Sequence, residues 1–331
     1  MTGELEGGGA SQSLLRACQE IESWADLQGA PATRLAFAQA CALLQPHDAK
    51  AALVVARLAR DLGEDARAES WFRHAVRLSR NRDRESYGWA FVGLGVMFMR
   101  VGNIPGAYAV MVRALRHAER NRLREIVGAS HHHLFRLATE SNRLREAYAH
   151  ARTALEAYGK THPRLRDLAG DVGRFWVHLG AFRRALPVLE AVVNGYPDPN
   201  GRAMGLSIIA YAAAAAGEVT RFESARDAAE ACCKEAVGRN RLAETELLLA
   251  WANLAMGDWN RAEIAAGRSY ELAIANGEAE NRLLAEAALK QARSQETRSG
   301  NSAAQSENPD LTRQADRLAQ ELVNALAAES E

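Results

Sequence analysis

The sequence predicts an all-α fold, a solenoid of stacked antiparallel helix pairs, on three observations. Alanine is the dominant residue while the 331 residues include only 8 Pro and 6% aromatics, which favours helices packed closely through small side chains. A pattern of small and bulky residues recurs along the chain. Its turn residues follow one another at the spacing of a repeated helix pair, and such repeats stack because one pair cannot bury its own apolar face.

The clearest copy of the repeat runs from Trp89 to Ala114, with a small residue at Gly95, a turn at Gly102 and a second small residue at Ala107. Gly and Asn take the left-handed backbone conformation that ends a helix at little steric cost, so each turn predicts the junction within a pair. The predicted turns are 34, 39, 40, 38, 37 and 40 positions apart, at Gly29, Gly63, Gly102, Asn142, Gly180, Gly217 and Gly257.

This pattern resembles the tetratricopeptide repeat (TPR), whose period is about 34 residues, in a variant with a longer period of about 37 to 40. The residues that match in the clearest copy are Trp89, Leu94, Gly95, Phe98, Gly102, Ala107, Met111 and Ala114. The resemblance covers about Leu14 to Ala275 and departs most near Gly217, where Phe222 and Arg226 replace small and bulky residues. It implies a right-handed superhelix of about six to seven repeats whose concave face is lined mainly by the first helix of each pair.

The domain organisation follows from where the repeat stops. We expect a disordered N-terminus over 1–11, the solenoid with a terminal covering helix over 12–293, a flexible linker over 294–309 and an amphipathic helix over 310–331. The last helix carries a heptad-like stripe of apolar residues at Leu311, Ala315, Leu318, Leu322 and Ala325. Three interpretations are open: the helix folds back on the stack, mediates self-association or occupies the protein's own groove.

Composition excludes several classes of protein. No apolar run is long enough to cross a membrane, and the acidic, Gly-rich start lacks the features of a secretory signal. The 4 cysteines suit neither a disulfide framework nor a zinc site, so the expected location is the cytoplasm. The net charge is +0, but 21 Lys and Arg face 10 Asp and Glu between Trp71 and Glu190.

No catalytic residue, metal site or cofactor is expected. The run from His131 to His133 cannot hold one metal ion because neighbouring residues on a helix point about 100° apart. Structural or groove-lining histidine is the preferred interpretation, and a metal site and a pH-sensitive binding role are the alternatives. Cys232 and Cys233 are vicinal thiols for which packing between helices is preferred over reactivity.

The register of the repeat predicts which side chains line the concave groove. Arg57, Arg136 and Arg174 occupy equivalent positions, where later repeats carry Tyr211 and Trp251. Arginine binds carboxylates in two-point geometry, and Tyr and Trp are common binding hot spots. The alternative is that these arginines only pair with neighbouring acids. The complete predicted groove consists of Lys50, Arg57, Arg60, Trp89, Met99, Arg100, His132, Arg136, Arg174, His178, Tyr211 and Trp251.

The function that these features favour is a non-catalytic scaffold or adaptor for a protein or peptide with acidic groups and apolar anchors. The main alternative is a sensor or regulatory subunit that acts through a partner chain in signalling or transcription control. Nucleic-acid binding is less favoured, although arginines cluster in the basic block. These are Arg77, Arg80, Arg82, Arg84, Arg113, Arg116, Arg120, Arg122 and Arg124. Membrane insertion is not expected.

Overall fold

The computed structural model describes residues 3–196, 198–235, 241–295 and 309–328, with side chains from residue 11 onward. Within these ranges the chain forms sixteen α-helices and no strand. It divides into two compact units, unit 1 over Met1–Ala157 and unit 2 over Tyr158–Glu331. Consecutive helices pair and the pairs stack within each unit, which confirms the predicted all-α helical solenoid.

Unit 1 consists of four successive helix pairs, in which α3 packs on α4 and α5 on α6, while α5 also contacts α3 and α7 in the neighbouring pairs. One continuous apolar core extends from Leu35 to Leu137. The helices are α1 (Gly3–Leu27), α2 (Pro31–Leu44), α3 (Ala49–Asp61), α4 (Asp65–Ser79), α5 (Arg84–Arg100), α6 (Ile104–Asn121), α7 (Arg124–Glu140) and α8 (Leu144–Tyr158).

Unit 2 continues the pattern with three pairs and two further helices. In the stack, α11 packs against both α10 and α13, and α15 packs against α13 and α14. The helices are α9 (Leu165–His178), α10 (Phe182–Val193), α11 (Pro199–Ala216), α12 (Val219–Glu235), α13 (Leu242–Met256), α14 (Trp259–Asn276), α15 (Ala279–Ser294) and α16 (Pro309–Ala327).

All seven predicted turn residues have a positive φ, from 52° at Asn142 to 78° at Gly63, and each lies between the two helices of a pair. The side chain that follows the turn caps the second helix at Asn103 and Asp258. The Asn103 side chain accepts a hydrogen bond from the Gly106 amide at 3.0 Å, which satisfies one of the free amides at the start of α6. Local chain chemistry therefore fixes the repeat boundaries.

Small residues let the helices approach closely, as the pattern predicts. A Cβ atom on Gly93 would lie 2.1 Å from Cε1 of Phe72, and one on Gly173 would lie 2.7 Å from Cδ2 of Leu189. Large side chains fill the space between pairs, so Met111 and Trp176 are fully buried. This combination of small and large residues gives the close packing that stabilises a stack of otherwise marginal helices.

The C-terminal helix α16 packs against α9 and α10. Its stripe is buried there, with Leu318 at 3% exposure and Leu322 at 0%, and Asp316 forms an ion pair with Arg184 at 2.7 Å. Of the three interpretations of this helix, folding back on the stack is the one that the structure shows. The stripe is consequently covered within unit 2.

Two predicted boundaries differ from the structure or lie outside it. Helix α1 begins at Gly3, so it includes most of the segment 1–11 for which the composition predicts disorder. Extending an existing helix by a residue costs far less than nucleating one, so the amphipathic part of α1 can propagate helix into a poor sequence. The predicted linker over 294–309 lies mostly outside the described residues, and α16 begins at Pro309.

Candidate protein-binding surface

The first helices of the pairs present one face that packing leaves open. The positions 6 residues before five of the seven turns carry Arg57, Arg136 and Arg174, which are exposed, and Tyr211 and Trp251, which are half-buried. Side chains at helical spacing on one face of each first helix therefore form a surface in each unit. Each unit has a surface of its own.

In unit 1 the surface combines a cation with an aromatic ring. The guanidinium carbon of Arg57 on α3 lies 5.4 Å from the ring centroid of Trp89 on α5, within the range of a cation–π contact. Lys50 and Arg136 are exposed. The structure therefore brings Arg57 and Trp89 together as neighbours across two repeats.

Two other predicted groove residues lie at the turn edge of unit 1 and are bound to carboxylates. Arg60 forms an ion pair with Asp61 at 2.8 Å, and Nε of Arg100 lies 3.2 Å from Oδ1 of Asp65. Nη1 of Arg100 also donates to the carbonyl oxygen of Arg60 at 3.3 Å. For this pair of arginines the alternative prediction, pairing with neighbouring acids, describes the geometry.

The predicted exposure of His132 is wrong, because its side chain is only 5% exposed. The position is 10 residues before the turn at Asn142, and the equivalent Leu53 and Val92 are buried too. One residue along a helix rotates a side chain by about 100°, so a shift of one position moves it from the open face to the interior. The neighbouring His133 stacks on His132 and is half-buried. Met99 is half-buried against the core of unit 1.

In unit 2 an ion pair bridges the open face. Nη2 of Arg174 on α9 lies 3.0 Å from Oε1 of Glu244 on α13. Helix α11 lies between these two helices and packs against α13, so the bridge passes over α11. Arg241 adds a longer contact of 3.7 Å to the same carboxylate. The arginine expected to bind an external acid therefore already has an internal one.

Beside this bridge, three aromatic rings form a row. The ring of Tyr211 lies 6.0 Å from the ring of Phe182 and 6.0 Å from that of Trp251. All three side chains are half-buried, and Ala215 and Ala255 are exposed next to the row in sequence. Burial raises the pKa of Tyr211, so its hydroxyl is neutral at physiological pH and can donate a hydrogen bond. His178 is exposed at the end of α9.

Phe182 is not among the residues that the repeat register predicts for the groove. Phe182 begins α10, a second helix, whereas the groove was predicted from the first helices alone. A large aromatic residue 2 positions after the turn at Gly180 is the signal that was available. The turn places that position at the same end of the pair as the C-terminal part of the first helix.

Two buried acidic groups of unit 2 have pKa values raised well above their usual range. Burial raises the pKa of the Cys233 thiol to about 12, with Glu246 contributing, which removes the thiolate needed for nucleophilic chemistry. Burial also raises the pKa of Glu246 to about 7, against the opposing influence of Arg268. Among the described residues no group of three or more His, Cys, Asp or Glu is arranged to hold a metal ion, and none of the described helices is long and apolar enough to cross a membrane.

Comparisons with known proteins find similarity in structure alone. No family model and no curated protein matches the sequence. Among solved structures, BtubC (BKLC) from P. vanneervenii is 18% identical with a TM-score of 0.50, over 68% of this chain and 92% of that one. The Cut9–Hcn1 hetero-tetramer of the APC/C gives 14% identity and a TM-score of 0.56, over 96% of this chain and 57% of that one.

A tetratricopeptide repeat protein from Parabacteroides merdae ATCC 43184 is 15% identical with a TM-score of 0.46, over 82% of this chain and 98% of that one. The arrangement of consecutive helix pairs, together with the similarity to BtubC and to Cut9–Hcn1, confirms the predicted TPR-like fold. Helical-repeat proteins of this kind typically mediate protein interactions.

Proposed function

We propose that this chain is a non-catalytic scaffold that binds another protein through the open faces of its first helices. The observation that carries the proposal is the half-buried aromatic row of Phe182, Tyr211 and Trp251 beside the Arg174–Glu244 bridge. Half-buried Tyr and Trp offer rigid contact area at little entropic cost, which is why such residues dominate binding energy at interfaces. Cut9, a protein with the same fold, is described in an assembly with Hcn1.

The charges on the two surfaces restrict the chemistry of the partner. In unit 1 the Arg57 guanidinium lies over Trp89, so a ligand carboxylate that contacts it has an aromatic surface beside it. In unit 2 the charges of Arg174 and Glu244 neutralise each other. We assign acidic recognition to unit 1 through the exposed Arg57 and Arg136, and apolar anchoring to unit 2 through Tyr211 and Trp251.

A site-specific photo-crosslinker tests the apolar half of the proposal. Ala255 is exposed 4 residues after Trp251, so a benzoylphenylalanine placed there reaches ligands that contact the aromatic row. The matched control places the crosslinker at Tyr108, a 39% exposed aromatic residue on α6 in the other unit. A partner crosslinked at position 255, not at 108, and lost with Trp251→Ala supports the site. Equal crosslinking at both positions contradicts it.

The acidic half is tested with peptides in place of a lysate. The pool contains extended peptides that combine Asp or Glu with Leu, Phe or Trp, and binding is followed by fluorescence anisotropy. Loss of binding in an Arg57→Ala, Arg136→Ala double variant, with unchanged circular dichroism, supports assignment to unit 1. Exchange of Arg174 alone is expected to change affinity less than twofold because Glu244 already occupies it.

A second candidate function has its own observation. The nine clustered arginines from Arg77 to Arg124 are all exposed, and several lie at the loops between α4 and α5 and between α6 and α7 in unit 1. Clustered arginines neutralise phosphates, and such binding weakens steeply with salt. Retention on DNA or RNA at 50 mM salt, lost by about 200 mM, would favour this function. A lack of retention at low salt would remove it.

A further inference from the structure

The first helix of the protein has an apolar face that nothing in unit 1 covers. Among the large apolar side chains exposed in the described residues, four lie on α1: Leu14 at 54%, Ile21 at 37%, Trp24 at 55% and Leu27 at 84%. An exposed apolar face of this kind marks an interaction site.

The exposed residues form a seam at coiled-coil spacing. Leu14, Ala17, Ile21 and Trp24 follow one another at intervals of 3, 4 and 3 residues, which places them on one stripe of the helix. This stripe borders the face that packs on α2, where Cys18 is 6% exposed and Ala25 is 0% exposed. Packing in unit 1 therefore leaves the seam partly open.

We propose that this seam pairs with the same seam of a second copy of the chain, antiparallel, about a two-fold axis near Gln19. In that register each residue i faces residue 38 − i of the second copy. Leu14 then faces Trp24 of the other copy, and Ala17 faces Ile21, so that a small residue opposes a larger one at the centre. The contact is isologous and closes as a dimer.

The charges beside the seam complement one another in the same register. Arg16 and Glu20 lie on the flank of α1 that points away from α2, and both are exposed. In the antiparallel pair, Arg16 is within two residues, about 3 Å along the axis, of Glu20 of the second copy, and the symmetric contact occurs twice. Arg16, Glu20 and Trp24 of α1 line a shallow concavity. In the proposed dimer it faces the charged side chains of the second copy.

The area available makes the dimer weak. The seam from Leu14 to Trp24 is about 15 Å long and one helix wide, well below the roughly 800 Å² per partner of a standard interface. Helix α1 is already ordered in the single chain, however. It packs on α2 at the buried Ala25, and Nε of Arg34 on α2 lies 3.6 Å from Oε1 of Glu22 on α1. Little ordering entropy is lost on pairing, and a dissociation constant on the order of 10–100 μM is expected.

Sedimentation of the full chain from about 1 to 500 μM tests this. The wild-type protein is expected to shift from monomer to dimer across that range, and Ile21→Glu is expected to stay monomeric with an unchanged circular dichroism spectrum. Leu283→Glu, at a 58% exposed leucine on the covering helix α15, is the matched control and should dimerise like the wild type. A wild-type monomer at 500 μM would overturn the proposal, and so would dimers of Ile21→Glu.

A charge exchange tests the register and does not depend on the apolar variants folding. Arg16→Glu places like charges together in the dimer and is expected to weaken association at least fivefold, and the double exchange Arg16→Glu, Glu20→Arg is expected to restore it. A double variant as weak as the single one contradicts the antiparallel register. Loss of association in Leu283→Glu instead would indicate a contact between α1 of one copy and α15 of the other, which would also overturn the proposal.

Discussion

Acid sensitivity of unit 1 is expected to depend on one pair of histidines. Nδ1 of His131 on α7 lies 2.9 Å from Nδ1 of His150 on α8, so one neutral ring donates a hydrogen bond to the other. Burial, followed by the neighbouring His150, lowers the pKa of His131 to about 4. Burial also lowers the pKa of His150, where Glu146 opposes the effect and Arg143 adds to it. Both rings are therefore neutral in the folded protein at pH 7.

The sign of the effect follows from proton linkage. The unfolded chain binds a proton at His131 near pH 6.5, while the folded chain resists protonation until about pH 4, so stability falls as the pH falls between these values. A pKa shift of this size corresponds to about 3.4 kcal/mol of unfolding free energy for a group that is completely removed from water. The ring is only partly buried, and solvent screening reduces the expected loss to roughly 1–2 kcal/mol.

Urea unfolding of the wild type and of His131→Gln, followed by circular dichroism at pH 7, 6, 5 and 4.5, measures this loss. His131→Gln removes the titrating group, so its stability should decline less between pH 6.5 and 4.5 by that amount, although it is lower by about 1 kcal/mol at pH 7 through the lost hydrogen bond. The control His47→Gln removes an exposed histidine and should follow the wild type. Parallel curves for wild type and His131→Gln would refute the reasoning.

Three further perturbations have defined outcomes. Gly93→Ala forces a Cβ atom against Phe72 and should lower the free energy of unfolding by about 1–3 kcal/mol, measured by urea titration; an unchanged midpoint would mean that the ring moves aside freely. Leu322→Ala, at a fully buried position, should destabilise α16 by about 2–4 kcal/mol and speed its amide exchange selectively, whereas uniform change across unit 2 would contradict local docking. Glu246→Gln should raise the melting temperature at pH 8 but not at pH 5. Burial raises the pKa of the Glu246 carboxyl from 4.5 to about 7, so the folded protein loses stability as the pH rises through that interval and this carboxyl ionises.

The part of the structure that could be predicted from the sequence is the part that depends on local chemistry. Gly63 and Asn142 end helices because of their own backbone preferences, and the small residue Gly93 is required by one neighbour, Phe72. Such signals recur with the repeat and reinforce one another from copy to copy. The fold class and the turn positions could therefore be predicted from the sequence.

The part that could not be predicted depends on which side chains meet over long distances in the sequence. The partner of Arg174 is 70 residues away on α13, and nothing in the repeat distinguishes Glu244 from any other exposed acid. His131 meets His150 rather than a groove ligand for the same reason. The repeat alone does not show which of two neighbouring helix positions faces the open side, and at His132 one residue separates the surface from the core.

The distribution of ion pairs bears on how the stack could select a partner. An arginine that already contacts a carboxylate, as Arg60, Arg100 and Arg174 do, gains little from a second acid because the first contact must be exchanged for it. Tyr211 and Trp251 contact aromatic rings and water, and neither contact is an ion pair that an apolar ligand would have to replace. Affinity in unit 2 should therefore come mainly from Tyr211 and Trp251, while the paired arginines reject ligands that place a cation beside them. On this argument, replacing an aromatic residue lowers affinity for every ligand, whereas replacing a paired arginine mainly widens the range of ligands that bind.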